Sequence, residues 1–113
     1  MLFSRKKKEE PLNISSEQLC VLLNKALYQA AYEIEGNCYS TGPEIMFDYD
    51  DGVHFAGIRY RKDTAELCVY LDDAEYPTVE DLYNLGVLNG QVFSTIGEGI
   101  IVEPHYKELL ENI

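Results

Sequence analysis

Apolar residues recur with a helical spacing in the first third of the chain. From Leu19 onward they fall at intervals of three and four residues, which places them on one face of a helix. Ser15 and Gln18 fit a capping box just before this stripe. The pattern predicts one long helix over residues 16–35. Its buried stripe would consist of Leu19, Leu22, Leu23, Ala26, Leu27, Ala30, Ala31 and Ile34.

An alternating pattern follows and predicts strands. Residues 44–50, 53–60 and 65–71 are rich in β-branched and aromatic side chains. The Asp-Gly pair at 51–52 is a hairpin signal between the first two runs, and residues 61–64 join the second to the third. These turns predict an antiparallel meander.

The predicted turns also define a register and two faces of the sheet. Asp50 would face Val53, and Glu44 would lie opposite Arg59 as a favourable charge pair. A slip of one residue would mix the two faces, so their clean separation supports the pairing. The face directed at the helix would carry Ile45, Phe47, Tyr49, His54, Ala56, Ile58, Tyr60, Ala65, Leu67, Val69 and Leu71.

The last third of the chain predicts shorter elements. Thr78 is placed to cap a short second helix, and an Asn-Gly pair at 89–90 marks a turn. Residues 92–96 and 100–102 are typical of strands, and the apolar residues after Pro104 have helical spacing. The chain is therefore expected to form an α+β domain. A long N-terminal helix packs on an antiparallel β-meander, accompanied by a short second helix and a C-terminal helix.

Charge divides the chain into two parts. Its 113 residues include 20 acidic and 9 basic side chains, a formal charge of -11. Residues 1–10 carry a local charge of +2, which leaves -13 for residues 11–113. We predict a disordered basic tail over residues 1–10 and a single domain over residues 11–113. Membrane contact through residues 1–8 is not expected, because a few cations without a second anchor bind anionic lipid weakly.

Composition also limits partner and compartment. Because an acidic surface repels phosphate backbones, no direct contact with nucleic acid is expected. Cys20, Cys38 and Cys68 form an odd set without a signal peptide, which favours reduced thiols in the cytoplasm. No apolar run approaches the roughly 18 residues that cross a bilayer.

Two acidic clusters converge at one end of the predicted meander. Asp50 and Asp51 occupy its first turn, and Asp72 and Asp73 leave its third strand nearby. Tyrosines and further acids accompany them, so we predict a partner-binding surface in which carboxylates steer a basic protein and tyrosines supply contact area. This surface would consist of Asp48, Tyr49, Asp50, Asp51, Tyr70, Asp72, Asp73, Glu75 and Tyr76.

Two other interpretations of the acidic cluster stay open. Acids commonly populate solvated turns, and several carboxylates together also suit a hard cation. The segment from Asp48 does not match an EF-hand loop, since Gly52 comes one position early and Arg59 stands at the twelfth position. We therefore predict no metal and no other cofactor.

Catalytic motifs are not found in the sequence. There is no phosphate-binding loop, no G-x-S-x-G, no H-E-x-x-H and no C-x-x-C. No local signature pairs a cysteine with His54 or His105, and the register makes His54 a satisfied histidine at the edge of the core. The chain is therefore not expected to be an enzyme.

The leading hypothesis is a small acidic cytosolic protein of the inhibitor or immunity type, bound to a basic protein such as a toxin or a nucleic-acid-binding protein. One alternative is a self-associating regulatory or scaffold module that joins a basic turn (Arg59, Arg61 and Lys62) to the acidic turn of another copy. The other alternative is a metal-assisted hydrolase that uses Asp50, Asp51 and Asp73.

Overall fold

A computed structural model describes residues 10–28, 44–61 and 66–111. The predicted basic tail lies outside these residues except for Glu10. The strands are β1 (Leu12–Ile14), β2 (Glu44–Tyr49), β3 (Gly52–Arg61), β4 (Glu66–Leu71), β5 (Ala74–Tyr76), β6 (Val87–Leu88), β7 (Gln91–Val92) and β8 (Ile100–Val102). The α-helices are α1 (Ser16–Leu22), α2 (Val79–Leu85) and α3 (Lys107–Glu111).

The described strands form one antiparallel sheet and one small hairpin. The sheet has six strands in the order β1-β8-β2-β3-β4-β5, and β6 pairs with β7 separately. The α+β class and the antiparallel sheet are therefore confirmed. The predicted meander is its centre, β2 to β4, and the three short strands β1, β5 and β8 extend it on both sides.

The prediction of a long N-terminal helix is wrong. Its capping box is confirmed, since Ser15 Oγ accepts from the Gln18 amide at 3.1 Å and Gln18 Oε1 accepts from the Ser15 amide at 3.0 Å. However, α1 has seven residues and continues as a π-helix over Leu23–Tyr28. A π-helix bonds residues five apart, so positions spaced by three and four drift off a single face. Residues 29–43, which include the rest of the predicted stripe, lie outside the described residues.

The turn of the first hairpin lies one residue earlier than predicted, which shifts the pairing register of its strands by two residues. Asp50 and Asp51 form the turn with φ of 52° and 65°, and Gly52 pairs with Tyr49 as the first residue of β3. Positive φ at both central positions is the pattern of a type I′ turn, which aspartate tolerates better than most residues. The predicted Asp51-Gly52 turn is therefore wrong. Because the shift is two residues, every side chain keeps its predicted face.

The register of the second hairpin is also shifted by two residues, in the opposite direction. Arg61 pairs with Glu66, whereas the predicted turn would have paired residue 60 with residue 65. As a result, Glu44 lies opposite Gly57 and Arg59 lies opposite Cys68, so the predicted Glu44–Arg59 pair is wrong. Tyr70 lies across Gly57 from Glu44 and donates its hydroxyl hydrogen bond to that carboxylate.

One face of the sheet forms the core against α1 and α2. The predicted inner residues of β2, β3 and β4 are confirmed as its centre wherever their side chains are described. Helix residues Leu19, Leu22 and Leu82 close this core. The buried residues contributed by the sheet centre are Ile45, Phe47, Ala56, Ile58, Val69 and Leu71.

The C-terminal elements match the predictions in part. Thr78 caps α2 by accepting from the Asp81 amide at 3.1 Å, and Asn89 and Gly90 form the β6–β7 turn. The predicted strand over residues 92–96 is wrong beyond Val92, because Phe93–Thr95 is a 3₁₀-helix. Its Phe93 amide donates to the Gly86 carbonyl at 2.8 Å and its ring is fully buried, which anchors this turn in the core.

Gly86, just after α2, has no room for a side chain. A Cβ there would lie 2.6 Å from the Leu82 carbonyl oxygen and 3.2 Å from a methyl of Leu71. We therefore expect Gly86→Ala to lower the free energy of unfolding by about 1–3 kcal/mol, as overpacked sites do. Urea denaturation followed by circular dichroism measures this.

Gly97→Ala is the matched control for Gly86→Ala. No atom lies within 4 Å of the position that its Cβ would take. The control should leave stability unchanged or raise it by up to about 1 kcal/mol, because alanine restricts the unfolded chain. Equal stability of the two variants would contradict the close packing at Gly86.

Candidate functional site

The turn between β2 and β3 stands at the acidic end of the sheet and is held from the side by the β6–β7 hairpin. Asn89 Nδ2 donates to Asp50 Oδ2 at 3.3 Å, and the Tyr49 hydroxyl donates to Gln91 Oε1 at 2.7 Å. The Tyr49 ring also packs beside Gly99, whose φ of 104° favours glycine. These contacts fix the position of the turn and leave the Asp50 and Asp51 carboxylates exposed.

Asp72 is a structural carboxylate. With φ of 54°, it directs its side chain back onto β3, where Oδ1 accepts from the Phe55 amide at 3.0 Å. Its Oδ2 lies 2.7 Å from His54 Nδ1, and the His54 ring stacks on Phe47 with centroids 5.6 Å apart. Nδ1 is thus partnered as predicted, but the buried His54 Nε2 has no hydrogen-bond partner within the described part of the chain. Asp72 therefore ties two strands together.

Tyr70 and Glu75 also have partners within the chain. Tyr70 is only 4% exposed, donates to Glu44, and carries the Arg59 guanidinium 4.5 Å above its ring. Burial and the Glu44 carboxylate raise the pKa of Tyr70. Arg59 in turn donates to Glu75. Tyr76 is half-buried against the core. Tyr70 therefore offers no open contact area, and Glu75 and Tyr76 are already engaged.

The remaining predicted site residues stay accessible. Asp48, Asp50, Asp51 and Asp73 are exposed and Tyr49 is half-buried. Within the described part of the chain, none of these four carboxylates forms an ion pair. A shallow groove of about 460 Å³ brings most of them together. It is lined by Asp48, Tyr49, Asp50, Asp51, Gly52, Val53, Gly99 and Ile101.

Apolar side chains beside this groove face solvent. Met46, Val53 and Phe55 are 55%, 56% and 37% exposed on the face of the sheet turned away from α1. Met46 and Phe55 are cross-strand partners, and Val53 follows on the same face of β3. We call these three residues the outer apolar patch. The sequence placed them on one face, but the mixture of acids and apolar residues there did not distinguish a covered face from an open one.

The groove beside this patch is lined by acidic and not by basic side chains. It contains three carboxylates and no cation. Residues 63–104 contain nine acidic side chains and no Lys, Arg or His, and residues 26–53 likewise contain no basic side chain. The described basic side chains of β3, His54 and Arg59, contact Asp72 and Glu75. An apolar patch beside three exposed carboxylates is complementary to a basic protein surface.

The described residues offer little support for metal binding or thiol chemistry. Among the described residues, no group of three or more His, Cys, Asp or Glu side chains is placed to hold a metal ion. Cys20 and Cys68 are buried, and Cys38 lies outside the described residues. Burial, together with the Glu17 carboxylate, raises the pKa of the Cys20 thiol to about 12.

Cys20 and Cys68 should be unreactive in the native chain. The raised pKa of Cys20 leaves little of the reactive thiolate at pH 8, and burial shields Cys68 from the reagent. In a Cys38→Ser variant we expect no fast reaction with an aromatic disulfide reagent at pH 8, and two reactive thiols in guanidinium chloride. Release of the coloured thiol measures both. Fast reaction of either cysteine before unfolding would contradict its burial.

Fold and site together define an α+β domain that presents an acidic, partly apolar face of an antiparallel sheet. No protein-family model, curated protein or solved structure matches the chain. Among the described helices, none combines the length and the apolar character needed to cross a membrane.

Proposed function

We propose that the chain is a small cytosolic binding protein, without catalytic activity, that docks the acidic end of its sheet on a basic protein. Its most concrete form is an inhibitor or immunity-type protein that covers the active or binding site of a toxin or a nucleic-acid-binding protein. The binding surface comprises the outer apolar patch and the exposed acids Asp48, Asp50, Asp51 and Asp73.

The exposed outer apolar patch is the observation that carries this proposal. Three large apolar side chains stand 37–56% exposed on neighbouring strands although the same sheet buries its other face completely at its centre. Covering the exposed part of each such side chain contributes on the order of 1 kcal/mol. Clustered exposed apolar side chains bordered by polar residues are typical of protein-binding sites.

The carboxylates determine the chemistry of the partner. Asp48, Asp50 and Asp51 lie beside the patch, are exposed, and have no ion pair among the described residues. Exposed charges of this kind accelerate association with an oppositely charged protein and contribute less to the lifetime of the complex. A basic partner therefore gains both apolar contact and electrostatic steering at this surface.

Replacing the groove carboxylates tests the proposal. Affinity capture from the native organism supplies the partner, and association is then measured by surface plasmon resonance at low and high salt. We expect the triple variant Asp48→Asn, Asp50→Asn, Asp51→Asn to associate about 10 to 100 times more slowly at low salt, with a flatter salt dependence. Asparagine tolerates the positive φ of residues 50 and 51, so the turn should persist.

The matched control removes the same charge elsewhere. Glu17, Glu80 and Glu108 are exposed and lie outside the groove. The triple variant Glu17→Gln, Glu80→Gln, Glu108→Gln should retain most of the association rate. If the control slows association as much as the groove variant does, total charge rather than this surface governs binding, and the proposed site is wrong.

Self-association is a second candidate, and a different surface favours it. Leu85, Val87 and Val92 are 65%, 53% and 45% exposed, and the two valines are cross-strand partners on the β6–β7 hairpin. A two-fold axis would place this patch against its own copy. Self-association through the basic turn of one copy and the acidic turn of another lacks support, because Arg59 donates to Glu75 and Lys62 lies outside the described residues.

Light scattering separates the two candidates. Acidic copies repel each other, so a dimer formed through apolar contact should strengthen between 20 mM and 1 M salt. For a dedicated binder of a basic protein we expect a monomer at both salt concentrations. A dimer that disappears in a Val87→Ser, Val92→Ser variant would favour self-association instead.

A further inference from the structure

A second shallow groove continues the first along the outer side of the sheet. It has a volume of about 240 Å³ and shares Asp48 and Ile101 with the groove at the acidic turn. These two residues are cross-strand partners of β2 and β8 and border both grooves. The second groove is lined by Pro11, Met46, Phe47, Asp48, Ile101, Val102, Glu103 and Pro104.

The two ends of this continuous groove differ in chemistry. One end has Met46 beside Pro11 and Pro104 and is mostly apolar. The other end has the exposed carboxylates of Asp50 and Asp51. Asp48 lies between them, exposed and without an ion pair among the described residues.

We infer that this groove holds an extended segment of the basic partner. The segment places an apolar side chain between Met46 and the prolines, and Lys or Arg side chains against Asp48 and the Asp50–Asp51 turn. This inference rests on the proposed function and adds the form in which the partner binds. From Met46 to Tyr49 the strand rises about 10 Å before the chain reverses at Asp50 and Asp51, a length that about four extended residues match.

The spacing of the groove residues favours an extended segment. Met46 and Asp48 are alternate residues of β2 and point to the same face, about 6.6 Å apart along the strand. Side chains on one face of an extended peptide repeat at the same distance, whereas one turn of an α-helix rises 5.4 Å. Residues 11–113 of a second copy are disfavoured as the occupant, since their net charge of -13 would place acid against acid.

A displayed library of random heptapeptides, selected on the immobilised full chain, tests the inference. We expect selected peptides to carry an apolar residue two positions from a Lys or Arg. Binding of the enriched peptide should shift the backbone amide resonances of residues 46–53 and 101. Asp48→Asn should weaken binding about tenfold by fluorescence polarisation. Glu80→Gln, which removes an exposed acid outside both the groove and the proposed binding surface, should change it less than twofold.

Several outcomes would overturn the inference. They are the enrichment of no peptide, of peptides without basic residues, or of peptides that shift resonances only outside the groove. Equal weakening by Asp48→Asn and Glu80→Gln would do the same.

The natural partner separates failure of this inference from failure of the proposed function. If the triple aspartate variant slows the partner but the selected heptapeptide does not displace it, the proposed function stands and the extended segment is wrong. If the triple variant leaves association unchanged, the proposed surface itself is wrong.

Discussion

The alternation of side chains across β2, β3 and β4 is the constraint on which the rest of the molecule depends. One set of alternate residues, including Ile45, Ala56 and Val69, is fully buried against the helices. The other set is thereby directed away from the core whatever its chemistry. Met46, Val53 and Phe55 belong to this outward-directed set and are exposed, whereas Tyr70 of the same set is buried.

The same alternation also separates the acids that bond within the sheet from the acids that stay open to a partner. Asp72 and Glu75 lie where a donor of β3 is within reach, namely the Phe55 amide and the Arg59 guanidinium. The described basic side chains of β3, His54 and Arg59, contact Asp72 and Glu75, and among the described residues Asp48, Asp50 and Asp51 form no ion pair. Their mutual repulsion costs stability, although solvent and salt screen most of it. A basic surface would remove that repulsion on contact.

Part of this arrangement follows from the sequence and part does not. Binary pattern was sufficient for β2, β3 and β4 and their faces, because burial rewards the same alternation in every register of equal parity. Local capping residues predicted the caps of α1 and α2, and the short strands β1, β5 and β6 were not predicted. It could not distinguish two registers that differ by two residues, and Asp50-Asp51 took the turn that Asp51-Gly52 was expected to form. The helical stripe after Leu22 predicted a longer α-helix because periodicity does not report a change to π-helical bonding.

The site was harder to predict for a related reason. The sequence located the acids. Whether a carboxylate already has a hydrogen-bond partner within the chain depends on backbone angles and on contacts between residues distant in sequence. Asp72 reaches His54 only because its φ is 54°, and Tyr70 reaches Glu44 only because Gly57 between them has no side chain. Neither feature has a signature in local sequence.

Apolar area and charge make separable contributions to binding at such a surface. Carboxylates act at a distance, so their effect falls mainly on the association rate and declines with salt. Met46, Val53 and Phe55 act only on contact, so their effect falls mainly on dissociation and persists in salt. An acidic surface alone would attract any cationic protein without retaining it, and an apolar patch alone would not discriminate. Because β2 and β3 carry both on one face, attraction and retention act on the same partner in the same orientation.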